Sequence, residues 1–488
     1  MKSQKAILSL ILVIFTALNL IAQNIVPDKK VVYKEIQGDS LSLHIFNPQK
    51  TTKPTAAIVF FFGGGWVSGN PKQFYQQSKY FASRGMLAIS AEYRIKNTHG
   101  TTPFDAVEDA KSAIRWVREH AKELNIDPTK IVASGGSAGG HIAITTALIE
   151  GLDNPNENLS ISSVPNAVVA YNPVLDTTKE GYGYGKVAGR ETEISPCHQI
   201  KKNMPPVLLF HGTKDETVPF ENAERFTNLM KKAGNECELI AVENAGHGFF
   251  NGDFFRKGTG NKYFNLTTYQ TDVYLEKLGY LKKKPTINKN IKQVSCIGDS
   301  NTQAKYPKFL QERIGDKYQV KNFGKGGATL LQGTTYPYFK TEQYKKSLKF
   351  TPDIALIMFG TNDANVKWCL DKNRKTEFTG TPKEEFKSQY VKLINTYKNK
   401  NKNAEIYVLT PLPIYEHPKN RDPKTKERIE QLHKWVIPAI KEIAQEQDVE
   451  LIDVNKLMNK SFKYTRDGVH LTEKGYKVLA KKIARKIK

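Results

Sequence analysis

Cysteine is scarce in this sequence: Cys197, Cys237, Cys296 and Cys369 are the only four in 488 residues. Four cysteines permit three pairings, among which the sequence does not choose, free thiols stay open as well, and none has the close paired spacing of a zinc site. We expect them to take no part in the chemistry. Long apolar runs are missing too. The run at the start, Ala6 to about Leu18, is about 13 residues, short of the ~20 that cross a bilayer. Lys2 and Lys5 precede it and a polar stretch follows Ala22-Gln23, the pattern of a secretory signal peptide over residues 1–23. An uncleaved anchor is the alternative, since Leu20 stands where a small residue is expected. No cysteine follows the run, so lipid attachment is not indicated. Acidic residues fall short of basic ones, 49 against 73, which leaves a net charge of +24. Such an excess signals either an anionic partner or a well-solvated surface.

What is present is ample. The length allows two or three domains with cores of their own, and a mean hydropathy of -0.50 with 39% hydrophobic residues describes a globular chain. From Val31 to about Leu281, continuous apolar runs such as 56–61 and 167–170 read as strands covered on both faces. Between them Val107, Ala110, Ile114, Val117 and Ala121 fall on one helix face. The alternation stops in the basic, Pro-containing stretch 282–290, a linker, and restarts through the runs 293–297, 355–359, 406–409 and 451–454. The fold class is therefore α/β in two domains, expected at 24–284 and 285–488. No solenoid-like repeat occurs.

In the first half, the run 131–134 leads into Gly135-Gly136-Ser137-Ala138-Gly139-Gly140 and a helical pattern follows. This is Gly-x-Ser-x-Gly in the strand, turn and helix setting that exposes a nucleophile and aims backbone N–H groups at it. Asp215 follows the strand 206–210, His247 comes later between glycines, and Gly63-Gly64-Gly65-Trp66 follows another strand. The order Ser, Asp, His suits a triad. This half resembles the α/β-hydrolase carboxylesterases, in particular acetyl- and feruloyl-esterase-like enzymes related to hormone-sensitive lipase. The resemblance implies Ser137, Asp215 and His247 as the triad, and Gly64, Gly65 and Ala138 as oxyanion donors. It also favours Asp215 over the neighbouring Glu216 as the acid. The chain departs from the family at Phe62, where a histidine usually supports the loop. His141 and His211, each beside a motif, read as structural. Trp66, Tyr182 and Tyr184 are candidate substrate-binding residues, although Gly181-Tyr182-Gly183-Tyr184-Gly185 also reads as a mobile loop.

The second half carries Gly298-Asp299-Ser300 after a strand, Asn322 to Thr329 around Gly326-Gly327, Gly360-Thr361-Asn362-Asp363 after a buried strand, and Asp467-Gly468-Val469-His470. In order and spacing these resemble the four blocks of the SGNH, or GDSL-type, hydrolases, whose fold is flavodoxin-like. Ser300 would be the nucleophile, His470 its base and Asp467, three residues earlier, the group that orients the ring. By resemblance the oxyanion donors are the Ser300 and Gly327 amides and the Asn362 side chain. Asp299 and Asp363 read as turn-forming residues.

Other chemistries lack their patterns. Gly324-Lys325-Gly326-Gly327 has no Lys-Ser/Thr ending for a phosphate loop and no third glycine in register for a dinucleotide site. His417 and His433 have no ligand-spaced partners, so we expect no metal and no cofactor. The lead expectation is a secreted or periplasmic bifunctional carbohydrate esterase removing O-acetyl or feruloyl groups. One active centre with a glycan-binding half, or a lipase or thioesterase, are the alternatives. Residues 285–488 hold 40 Lys and Arg against 22 Asp and Glu, +18 of the total, leaving +6 for the rest. No aromatics are interleaved as a nucleic-acid platform requires. The expected partner is thus an acylated polysaccharide or oligosaccharide, with an acidic polymer and a merely solvated surface both open.

Overall fold

The structure is a computed structural model that describes residues 25–36, 38–49, 52–187, 189–315, 317–365, 381–418, 424–460 and 462–487. The signal-peptide reading and Cys369 lie outside these residues. The chain divides into two compact units, one ending at Lys289 and the other beginning at Asn290, with residues 256–262 grouped with the second. The break falls within the basic stretch 282–290.

The first unit is built on an eight-stranded sheet in the order β1-β2-β4-β3-β5-β6-β7-β8. The strands are β1 (Lys29–Ile36), β2 (Asp39–Phe46), β3 (Thr55–Phe61), β4 (Leu87–Ala91), β5 (Ile126–Gly136), β6 (Ala167–Tyr171), β7 (Val207–Gly212) and β8 (Cys237–Val242). Strands β1, β2 and β4 pair antiparallel, and the rest are parallel. Alternate residues of β3 feed two cores: Ala57, Val59 and Phe61 join one, and Ala56, Ile58 and Phe60 the other. That is why the run reads as continuously apolar. Helix α1 (Pro103–Glu119) starts with Pro at its first turn, and the Asp105 carboxylate accepts from the Thr102 N–H and hydroxyl. It buries Val107, Ala110, Ile114 and Val117, while Ala121 lies just past its end.

The second unit has a five-stranded parallel sheet in the order β10-β9-β11-β12-β13. Its strands are β9 (Lys292–Gly298), β10 (Tyr318–Gly324), β11 (Ile354–Met358), β12 (Glu405–Leu409) and β13 (Glu450–Ile452). Renumbered within the unit the order is 2-1-3-4-5, the flavodoxin-like arrangement, in which ligands bind beyond the carboxyl ends of the first and third strands. Those are β9 and β11. Ala355 and Ile357 of β11 enter one core, and Ile354, Leu356 and Met358 the other.

Cys197, Cys237 and Cys296 are free and buried. Burial pushes their thiols up to about 11, 11 and 12, so they stay protonated and unreactive. Among the described residues no helix is long and apolar enough to cross a membrane, and no cluster of three or more His, Cys, Asp or Glu could hold a metal ion.

Candidate active site

Ser137 sits between β5 and helix α2 (Ala138–Leu148) with φ +56° and ψ -122°. A non-glycine residue held there costs on the order of 1–3 kcal/mol, which the surrounding packing must offset. The turn closes only because its neighbours lack side chains. A Cβ on Gly139 would overlap the Phe61 carbonyl oxygen, and one on Gly136 would strike the Phe250 ring. The serine is thereby lifted out of the sheet at the carboxyl end of β5.

Two further strand ends meet it. The Ser137 hydroxyl lies 2.9 Å from His247 Nε2, and His247 Nδ1 lies 2.8 Å from Asp215 Oδ2. With Nδ1–H donating to the carboxylate, Nε2 accepts from the serine. The Asp215 side chain is fully buried. Burial opposes its ionisation, but hydrogen bonds from His211, His247 and the Val218 amide outweigh that and hold the carboxyl well below the usual range. Glu216 is exposed, and it is Asp215 that the imidazole meets.

The glycine loop after β3 lies against the same serine: a Cβ on Gly63 would come within 3.2 Å of Ser137 Cβ. Gly63 N–H donates to Gln73 Oε1 at 2.6 Å. Phe62, in the place of a supporting histidine, stacks on Tyr93 at 4.2 Å, and the Tyr93 hydroxyl donates to the Phe62 carbonyl at 2.7 Å. Aromatic packing and Gln73 thus shape the loop.

The second constellation follows another route. Ser300 begins a short helix, Ser300–Gln303, directly after β9 and Asp299. Its hydroxyl lies 2.9 Å from His470 Nε2, and His470 Nδ1 lies 2.8 Å from Asp467 Oδ2. Asp467 and His470 share one loop, closed by an antiparallel bridge between Thr465 and Leu471. The other Asp467 oxygen accepts from the Val469 and His470 amides at 3.0 and 2.7 Å. Burial opposes ionisation here as well, and these bonds together with the imidazole hold the carboxyl at about 2.

Gly327, at φ +76°, and Asn362 stand beyond β10 and β11. Asn362 Nδ2 donates to the Ala328 carbonyl at 3.0 Å. Asp299 and Asp363 lie within the framework. Asp299 accepts from the Asn301 amide, and Asp363 from the Leu330 and Leu331 amides, so both shape loops. Burial raises the Asp363 carboxyl to about 7, with further upward pressure from Asp299.

Several residues at these sites escaped the sequence reading. Arg428, on helix α3 (Thr425–Gln431), donates through Nε to the Thr361 carbonyl at 2.8 Å and through Nη2 to Asn362 Oδ1 at 3.1 Å. That fixes which end of the amide is the donor. Asn172, at φ +36°, places Nδ2 3.2 and 3.4 Å from the two ring nitrogens of His247. Its Asn-Pro turn signal was visible, its contact with the histidine was not. Lys186 donates to the Gly65 carbonyl at 3.2 Å and to the Tyr182 hydroxyl at 3.0 Å. His211, set aside as structural, donates from Nε2 to the Val218 carbonyl at 3.0 Å and lies 3.4 Å from Asp215 Oδ2. It therefore also steadies the acid. His141 is buried on the Ile194 carbonyl at 2.7 Å, and desolvation lowers it to about 4.

One expectation is corrected. Trp66 is not open to substrate as a binding residue: it is 1% exposed, with its ring 5.0 Å from His141 and 6.0 Å from Tyr182. Its positive φ of 59° belongs to the tight glycine turn that directs it into the core. Tyr182 is partly buried against that core. Tyr184 is 41% exposed and opens a short helix, Tyr184–Val187.

Residues 43–230 match the BD-FAE family and residues 296–478 the GDSL-like Lipase/Acylhydrolase family. The chain is 30% identical over 470 residues to an acetylxylan esterase of Xylanibacter ruminicola, covering 88% of this chain and 90% of that one. It is 28% identical over 242 residues to a probable isoprenylcysteine alpha-carbonyl methylesterase of Oryza sativa, covering 45% of this chain and 57% of that one. Among solved structures, the apo form of Thermogutta terrifontis esterase 2 is similar at 46% identity and a TM-score of 0.50, covering 52% of this chain and 96% of that one.

Proposed function

We propose that this chain, which belongs to the same two-domain esterase family as the Xylanibacter ruminicola acetylxylan esterase, removes acetyl groups from an acetylated xylan-type polysaccharide through two independent serine centres. That it is a carboxylester hydrolase follows from both domain families and the esterase relatives. The observation that carries the two-centre reading is the pair of unbroken Ser–His–Asp relays, each with contacts of 2.9 and 2.8 Å.

In the first centre His247 takes the Ser137 proton as the oxygen attacks the acetyl carbonyl. The Gly64, Gly65 and Ala138 amides hold the oxyanion, each such donor in general worth ~2.7–4 kcal/mol in the transition state. His247 then returns the proton to the departing sugar oxygen, and Ser137 keeps the acyl group. Water, deprotonated by the same imidazole, hydrolyses the acyl-enzyme and releases acetate. Ser300, His470 and Asp467 repeat the cycle with the Ser300 and Gly327 amides and Asn362 as donors. Two centres suit a polymer esterified at chemically different positions. Feruloyl esters are a second substrate class for the first centre, and export by the basic and apolar start of the chain brings the enzyme to its polymer.

The test is acetate release from acetylated xylan by Ser137→Ala, Ser300→Ala and the double variant, with ferulate release from feruloylated xylan alongside. Each single variant should lose a distinct part of the product and the double variant all of it. Full activity in Ser300→Ala would remove the second centre from the account.

A further inference from the structure

A pocket of about 790 Å³ in the first unit lies away from Ser137, within the ~300–1,000 Å³ usual for ligand sites. It is lined by Thr55 and Ala56 at the start of β3, by Ile126 in β5 and by the segment 279–283. Ser137 and the glycine loop follow the opposite ends of β3 and β5. At ~3.3 Å per residue, the seven residues of β3 set the pocket on the order of 20 Å from the chemistry.

Its walls are chemically biased. Five cations line it, Lys53, Arg84, Lys130, Lys282 and Lys283, against one carboxylate, Asp127, and one aromatic ring, Tyr280. Arg84 is a fixed wall. Its Nε and Nη2 donate to Asp272 at 2.6 and 3.0 Å, and Nη2 also donates to the Lys283 carbonyl, which ties the 282–283 segment to the rest of the pocket. Lys130 lies 3.5 Å from Asp127. With Arg84 paired to Asp272 and Lys130 near Asp127, Lys282 and Lys283 leave a positive balance.

We propose that this pocket binds a uronate-bearing oligosaccharide, a glycan site separate from the Ser137 centre. Each group then has a use. The lysines attract the sugar carboxylate, Asp127 can accept from hydroxyls, and Tyr280 offers an apolar face to a pyranose ring. A bare phosphate would use neither the ring nor the acceptor. Holding a charged branch of the polymer here would raise the local concentration of its ester groups at the active centres. The choice of a xylan branch rests on the substrate reading above, whereas affinity for a uronate does not.

The experiment is calorimetric titration of the full chain with a glucuronic-acid-substituted xylo-oligosaccharide, its unsubstituted counterpart and inorganic phosphate. All three lack esters, so none is turned over. The acidic oligosaccharide should bind about tenfold tighter than the neutral one, and the Lys282→Glu/Lys283→Glu variant should lose that preference. Hydrolysis of 4-nitrophenyl acetate by the variant should be unchanged, which also shows that it has folded. Equal affinity for the acidic and neutral sugars, an unaltered variant, or phosphate binding as tightly as the acidic sugar would each overturn the proposal. Acetate release from acetylxylan is measured separately. Uronate binding without such release would sink the substrate reading and spare the pocket, and release without binding would do the reverse.

Discussion

The Asp215 side chain is sealed from solvent and its histidine is 19% exposed, while Asp467 and His470 keep 28% and 31% of their side-chain surface. The distances within the two relays are the same, so the difference lies in how each chain segment delivers its residues. The first relay gathers the ends of β5, β7 and β8 around a strained serine, and the sheet buries the acid as a consequence. The second draws acid and base from a single loop, held by two backbone amides folding back on Asp467. The proposed oxyanion donors differ as well: backbone amides alone in the first, and in the second a side chain, Asn362, whose Oδ1 accepts from Arg428. The same relay geometry is reached by a rigid frame in one and by a short local loop in the other. The two should then fail in different ways.

The largest effect is expected from the nucleophiles. Ser137→Ala and Ser300→Ala should each lower turnover at their own centre by about 10⁴–10⁶-fold and leave the other untouched, measured on substrates that one centre prefers. Next come the acids. Asp215→Asn should cost about 10⁴-fold, because a sealed amide faces donors it cannot accept from fully. Asp467→Asn should cost less, since water can reach the imidazole, and equal losses would mean that burial does not separate the sites. Asn362→Ala should reduce kcat of the second centre by about 10²–10³-fold. No single side-chain deletion in the first oxyanion hole should match it.

Arg428→Ala should lower kcat at the second centre by about tenfold with KM unchanged, and add nothing in an Asn362→Ala background. An effect that persists in that background would make Arg428 a folding residue only. The smallest effect concerns stability. Asp363 is raised to about 7 against about 3.9 for an exposed Asp, so between those values the folded chain holds a proton that the unfolded chain has lost. Its contribution is full below about 3.9 and declines as pH rises to about 7. Asp363→Asn should therefore raise the melting temperature by about 2–4 °C more at pH 8 than at pH 4.

The residues of the two relays were legible because acyl transfer demands particular residue types at strand ends, and strands covered on both faces announce themselves as unbroken apolar runs. Strand order was legible only through family resemblance, since apolar runs give no neighbours. Arg428, Lys186 and Asn172 were not legible. Each acts across the fold, Arg428 from a helix 66 residues beyond Asn362, and no local pattern links a guanidinium to a distant amide. Trp66 misled for a related reason. A tryptophan after a glycine loop reads as a ligand platform until the backbone turn shows it aimed inward.

The central claim, two independent active centres in one chain, is tested most directly by counting serines that react with a fluorophosphonate ester, using intact-protein mass spectrometry. The account predicts two adducts per chain, one in each of Ser137→Ala and Ser300→Ala, and none in the double variant. A single adduct at saturation in the unmodified chain would contradict it.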